Sequence, residues 1–143
     1  MSRRSQWGEP GPQTAEAKAS PTVWLGDSLG EMALYYSLAD VALLGGSFAP
    51  WGGQNLIEAT ACGCPVLMGP HTFNFAEASA QAEAAGAAQR VADMDGALDQ
   101  ALAWLNDRAA LARAQQSGLD MVAQGRGAAE RYAQALVSAL NAE

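Results

Sequence analysis

Asp40-Val41-Ala42-Leu43-Leu44-Gly45-Gly46-Ser47-Phe48-Ala49-Pro50-Trp51-Gly52-Gly53-Gln54-Asn55-Leu56-Ile57-Glu58-Ala59-Thr60-Ala61 decides how this chain folds. Its apolar start reads as a buried strand. Asn55 to Ala61 reads as the first turns of a helix. Four glycines lie where the strand hands over to the helix. Such a junction lets backbone approach a ligand closely, and a helix start offers N–H groups to an anion. The spacing of Asn55 and Glu58 places both on one side of the first helical turns, a grip suited to a sugar or a ribose phosphate. The pattern is neither G-x-G-x-x-G nor a Walker loop. Taken alone, it serves equally well as a structural turn.

Upstream, Val23-Trp24-Leu25 reads as another strand and Met32 to Ala39 as a helix. Asp27 or Ser28 is placed to cap that helix, and Ser28 with Glu31 has capping-box spacing. Two consecutive strand-to-helix junctions of a parallel sheet open on one edge, where α/β sheets bind ligands. Downstream, Pro65-Val66-Leu67-Met68 is a short strand. Asn74 to Ala85 is an alanine-rich helix closed by Gly86, and Ala88-Gln89-Arg90-Val91 is an edge-like strand. Leu98, Ala101, Leu102 and Leu105 mark one apolar helix face. Asn106-Asp107 separates this helix from the next, Arg108 to Ala123. Gly125-Arg126-Gly127 separates a last helix with the stripe Ala128, Tyr132, Ala135, Leu136, Ala139 and Leu140. The fold class is α/β: a Rossmann-like parallel sheet of about four strands with helices on both faces. Residues 1–20, polar and rich in Gly, Pro and Ser, form a flexible N-terminal segment, and 21–143 form the folded domain.

Half of the 143 residues are hydrophobic and 16% are charged, enough apolar material for a packed core. There is no apolar stretch of transmembrane length and no signal-peptide layout. The net charge of -7 argues against nucleic acid as a partner, because no basic stripe exists to displace counterions. Cys62 and Cys64 have only His71 as a further ligand of comparable type, so no zinc site is expected. They read as small buried residues at a helix-to-strand turn, in a reducing compartment. His71 invites a catalytic role, and packing at the start of the next helix accounts for it as well.

Gly26-Asp27-Ser28-Leu29-Gly30-Glu31-Met32, Leu34-Tyr35-Tyr36, Ala39-Asp40-Val41, Gly45-Gly46-Ser47, Gly52-Gly53-Gln54-Asn55, Glu58, and Gly69-Pro70-His71 with Asn74-Phe75 form a series in fixed order. It resembles the C-terminal domain of 3-deoxy-D-manno-octulosonic acid (Kdo) transferases, from about Val23 to the C-terminal helix. These are bacterial glycosyltransferases of the GT-B architecture that transfer Kdo from CMP-Kdo to the lipid A precursor in lipopolysaccharide synthesis. The resemblance implies that CMP is held by Leu29-Gly30-Glu31 and by Asn55-Leu56-Ile57-Glu58. Glu58 would face the ribose hydroxyls and Asn55 the phosphate side. A carboxylate can accept two hydroxyl hydrogen bonds, and fixed backbone amides can face a phosphate.

Two departures stand out. Gln54 occupies a position that is His in the common family pattern, and a Gln cannot titrate. The chain also has about one domain's length, whereas a GT-B enzyme places its site between two domains. The resemblance therefore implies that 21–143 is a C-terminal nucleotide-sugar-binding domain incomplete on its N-terminal side. The catalytic carboxylate, the acceptor groove for the lipid A precursor and the membrane contact would lie in an N-terminal region. No catalytic residue, metal or cofactor is expected in this chain, which alone should not catalyse transfer. The parent enzyme would work at the cytoplasmic face of the bacterial inner membrane. Two other readings remain open: a GT-B enzyme using a UDP-sugar, and a non-catalytic α/β interaction module.

Overall fold

A computed structural model describes residues 2–6 and 23–141, except for the side chains of Ser2, Gln6, Arg126, Ala128 and Ala129. The elements run β1 (Ser2–Arg3), β2 (Trp24–Leu25), α1 (Met32–Leu38), β3 (Ala42–Leu44), α2 (Ile57–Ala61), β4 (Val66–Met68), α3 (Ala76–Ala85), β5 (Ala88–Arg90), α4 (Met94–Asn106) and α5 (Arg108–Leu140). Single 3-10 turns occupy Arg4–Gln6, Gly45–Ser47 and Phe73–Phe75. The remainder of the expected N-terminal segment lies outside the described residues, as does the side chain of Ala128 in the last stripe.

The main sheet is parallel, in the order β3-β4-β5, with Leu43 opposite Leu67 and Leu67 opposite Gln89. All three residues of β4 are buried, and alternation along it sorts the core into two layers. Val66 and Met68 pack with Leu44, Leu56, Ala59 and Ala82, under α1, α2 and α3. Leu67 points the other way and packs with Trp104, Leu111 and Ala114, under α4 and the start of α5. The α/β class with helices on both faces of a parallel sheet is therefore present.

Three expectations need correction. The strand at Val23-Trp24-Leu25 forms as β2, but it pairs with β1 in a separate two-stranded parallel sheet and does not hydrogen-bond to β3. Both of its residues are exposed, so no apolar face draws it onto the main sheet. On α4 the buried face is Ala97, Ala101 and Trp104, while Leu98 and Leu102 are 52% and 57% exposed. Two apolar stripes run side by side on this helix, and the sheet takes the one in which two alanines precede a single large ring. Lastly, α5 runs unbroken through Gly125-Arg126-Gly127. An interior glycine costs about 1 kcal/mol relative to alanine, but it keeps both backbone hydrogen-bonding groups, so the ladder continues.

The break at Asn106-Asp107 forms as expected. The Asp107 carboxylate accepts from the N–H groups of Ala109 and Ala110, both at 3.0 Å, and so caps α5. Gly118 lets α5 approach α2 closely: a Cβ there would lie 3.2 Å from the Thr60 carbonyl oxygen. Residues 131–140 of α5 are exposed throughout.

Candidate functional site

The loops that follow β3 and β4 are bound together mainly through their main chains. The buried Ser47 hydroxyl donates to the Leu44 carbonyl at 2.5 Å and accepts from the Gly69 N–H at 2.7 Å. The His71 N–H donates to the Ser47 carbonyl at 3.0 Å, and the Asn74 N–H to the Gly52 carbonyl at 3.1 Å. The Asn74 side-chain amide adds a bond to the Trp51 carbonyl at 3.1 Å. At Gly69 the two loops come close: a Cβ there would sit 2.5 Å from the Ser47 carbonyl oxygen. The Gln54 side chain accepts from the Gly46 N–H at 3.3 Å, closing the first loop across its glycines. Arg90 donates to the Gly69 carbonyl at 3.0 Å and to the Thr72 hydroxyl at 2.9 Å. It also pairs with Glu83 at 3.0 Å.

This framework presents Asn55 and Glu58, both exposed. Asn55 precedes α2 instead of lying on it, and its Oδ1 accepts from the Ile57 N–H at 3.0 Å. That Asx-type turn turns the carboxamide oxygen inward and leaves the amide hydrogens for an acceptor. Leu56 is fully buried in the core, so its side chain cannot touch a ligand and only its main chain could. Ile57 is half-buried. With Glu58, Ala61, Gln81 and Met121 it borders a groove of about 460 Å³ between α2, α3 and α5. The short α2 contributes only a weak helix dipole, and in the glycine loop the N–H groups of Gly46 and Gly53 are already engaged, by the Gln54 side chain and the Gly46 carbonyl.

Leu29, Gly30 and Glu31 form the second element. The capping box expected from Ser28 and Glu31 is not made. Instead α1 begins at Met32 with Glu31 in the N-cap position, and no side chain caps it. Gly30 has φ +80, a left-handed turn that inserts between Ser28 and the helix and removes the geometry a box requires. Ser28 donates to Glu31 Oε2, which also accepts from the Tyr35 hydroxyl at 3.1 Å. Arg4 reaches Glu31 Oε1 at 2.7 Å. The Ser28 hydrogen bond foremost, with those of Tyr35 and Arg4, holds the Glu31 carboxyl below its ordinary range against the opposing effect of desolvation. The Asp27 carboxylate accepts from the Ser5 N–H and hydroxyl at 2.8 and 2.7 Å, and these bonds lower its pKa too.

Among the described residues no hydrogen bond joins these two elements. They are coupled through α1 packed on α2. There the Cys62 thiol lies 3.6 Å from the Ala33 carbonyl, and Tyr36 feels the Glu58 charge. Burial foremost, then Glu58, raises the Tyr36 pKa. Cys64 is buried and its thiol is pushed up to about 11, while Cys62 is half-buried. Among the described residues no cluster of three or more His, Cys, Asp or Glu side chains is placed to hold a metal ion, and no helix is long and apolar enough to cross a membrane. Arg4 and Ser5 carry no motif of their own, and Tyr35 lies in the series of motifs without its contact being read from it. Only Tyr35, four residues after Glu31, has a spacing that could have revealed its contact.

No family model matches this chain. It is 50% identical to a 3-deoxy-D-manno-octulosonic acid transferase of Bordetella pertussis over 129 residues, 90% of this chain and 28% of that protein. Its identity to the protein of the same name from Haemophilus influenzae is 37% over 110 residues, 76% of this chain and 26% of that protein. The chain thus spans little more than a quarter of these relatives' length. The crystal structure of the C-terminal CMP-Kdo binding domain of WaaA from Acinetobacter baumannii superposes with a TM-score of 0.65 and 30% identity, over 69% of this chain and 52% of that domain.

Proposed function

This chain is a homologue of the Kdo transferases, matching part of their length, and from that premise we propose that it is the CMP-Kdo-binding part of a glycosyltransferase of GT-B architecture. The parent enzyme transfers Kdo from CMP-Kdo to the lipid A precursor during lipopolysaccharide synthesis, at the cytoplasmic face of the inner membrane. Acceptor binding, the catalytic carboxylate and membrane contact belong to an N-terminal domain that would face the loops after β3 and β4. The domain 21–143 supplies the nucleotide half of the cleft and does not catalyse transfer alone.

The observation that carries this reading is the rigid glycine loop. It is held on both flanks by main-chain bonds, with the Asn55 amide and the Glu58 carboxylate exposed beside it. In the reaction an acceptor hydroxyl attacks the anomeric carbon and CMP departs with its phosphate charge. Fixed amide dipoles stabilise such charge without having to reorganise. Asn55 Nδ2 and the loop amides not engaged within the loop would face the phosphate, Glu58 would accept from the ribose hydroxyls, and the main chain of Leu29-Gly30-Glu31 would contact the remainder of the nucleotide. Leu56 and Ile57 serve by fixing the loop-to-helix path.

Titration of the isotope-labelled chain with CMP, followed by NMR, tests this. Shift changes centred on Leu29, Gly30, Glu31, Asn55 and Glu58, larger with CMP than with UMP, are expected. A stronger response to UMP would point to a UDP-sugar enzyme. No response to either would reject the nucleotide site in this chain.

A further inference from the structure

The carboxylate of Glu31 is engaged on both oxygens before any ligand arrives. Arg4 from the N-terminal turn holds Oε1, and Ser28 and Tyr35 hold Oε2. The Ser28 and Tyr35 hydroxyls lie 2.8 Å apart, so the two donors also brace one another. The Tyr35 ring lies against Gly26, where a Cβ would be 2.8 Å from Cζ, and this fixes the ring over the start of the turn. Asp27 holds Ser5 through two bonds and thereby ties down the segment that carries Arg4. What the turn leaves open is its main chain: among the described residues no group accepts from the N–H of Leu29 or Gly30, and both residues are exposed.

We infer that Arg4, Ser28 and Tyr35 are positioning residues that lock the Leu29-Gly30-Glu31 turn by gripping Glu31, so that the nucleotide is met by the turn's main chain and not by the Glu31 carboxylate. This rests on the CMP-binding reading above and assigns roles within that site. A carboxylate offers about four acceptor sites, and here three are taken, one by a guanidinium, which leaves Glu31 at most one for a ribose or base donor. The Leu29 and Gly30 amides have no bond to surrender. The N-terminal residues 2–6 thus belong functionally to the nucleotide site, although 27 positions separate Arg4 from Glu31.

The test compares the unaltered full chain with Tyr35→Phe, Ser28→Ala, Arg4→Ala and Arg4→Lys, by CMP titration and by the carboxyl carbon resonance of Glu31 across acid pH. In the unaltered chain, saturating CMP should move the Leu29 and Gly30 amides and leave the Glu31 titration midpoint in place. Loss of one donor should weaken CMP binding about fivefold, the worth of one hydrogen bond, with Arg4→Lys restoring part of the loss. A Glu31 midpoint that shifts on CMP binding, with Leu29 and Gly30 silent, overturns the inference while leaving the site intact. CMP affinity unchanged in all four variants overturns it as well. No response to CMP in the unaltered chain rejects the nucleotide reading and this inference together. Melting temperatures of the variants separate a loosened turn from a lost fold: the inference requires reduced affinity in chains that melt close to the unaltered one.

Discussion

The two elements proposed to meet the nucleotide are held in opposite ways. The loops after β3 and β4 are stitched largely by main-chain groups and a buried serine, around a glycine where any Cβ would force the backbone to shift. The turn before α1 is clamped by side chains on its surface, through one acid and three partners. Main-chain stitching tolerates changes of exposed side chains and salt but not added volume. A side-chain clamp depends on charge state as well as on fit, since the Tyr35 ring lies against Gly26. One half of the site is therefore set by packing and the other by electrostatics.

Breaking the first half needs the least chemistry. Gly69→Ala should lower stability by about 2–4 kcal/mol, because the new methyl would meet the Ser47 carbonyl at 2.5 Å and the loops must separate. Urea unfolding measures this directly. Ser47→Ala removes the hydroxyl that joins Leu44 to Gly69 and leaves the Gly69 N–H buried without a partner, at a cost of about 1–3 kcal/mol. If both substitutions proved neutral, the contrast between the two regions would fail.

The clamp should show its own signature. Because the folded pKa of Glu31 is depressed, its contribution is present above the ordinary value of 4.5 and is lost as pH falls through the lowered folded value. Amide protection factors at the Glu31-to-Tyr35 turn, referred to the intrinsic exchange rate at each pH, should fall over that acid range and with added salt, while those around Gly69 should not. The smallest effect concerns the thiols. The half-buried Cys62 should react with a thiol reagent in the native chain, and Cys64, raised to about 11 by burial, only after unfolding.

Much of the fold was legible because strand, glycine-rich turn and helix alternate in a short chain, and that alternation prescribes a parallel sheet. Asp107 and Gly86 ended their helices as their chemistry requires. Periodicity misled on α4, where Leu98 and Leu102 share a period with Ala97, Ala101 and Trp104 and only the sheet's shape chooses between the stripes. Glycine misled at Gly125-Arg126-Gly127, since a helix forfeits some stability there but no hydrogen bond. In the site, spacing placed Asn55 and Glu58 on one side of the first helical turns, whereas Asn55 stands before α2. Spacing could not tell that Leu56 faces the core or that Gln54 closes the loop across its glycines. The bond from Arg4 to Glu31 was invisible, because nothing local records a contact across 27 positions.

One helix carries a consequence of its own. With 33 residues, α5 is about 50 Å long at 1.5 Å per residue. Its first half is pinned by Leu111, Ala114 and Gly118, whereas residues 131–140 touch mostly water. Tertiary contacts supply most of a helix's stability, so a single continuous ladder of hydrogen bonds must hold two lifetimes. Amide deuteration should sweep inward from Leu140, fast through the solvated turns, and stall near Gly118. The rod thus has its own clock, and a partner lying along its outer half would stop it.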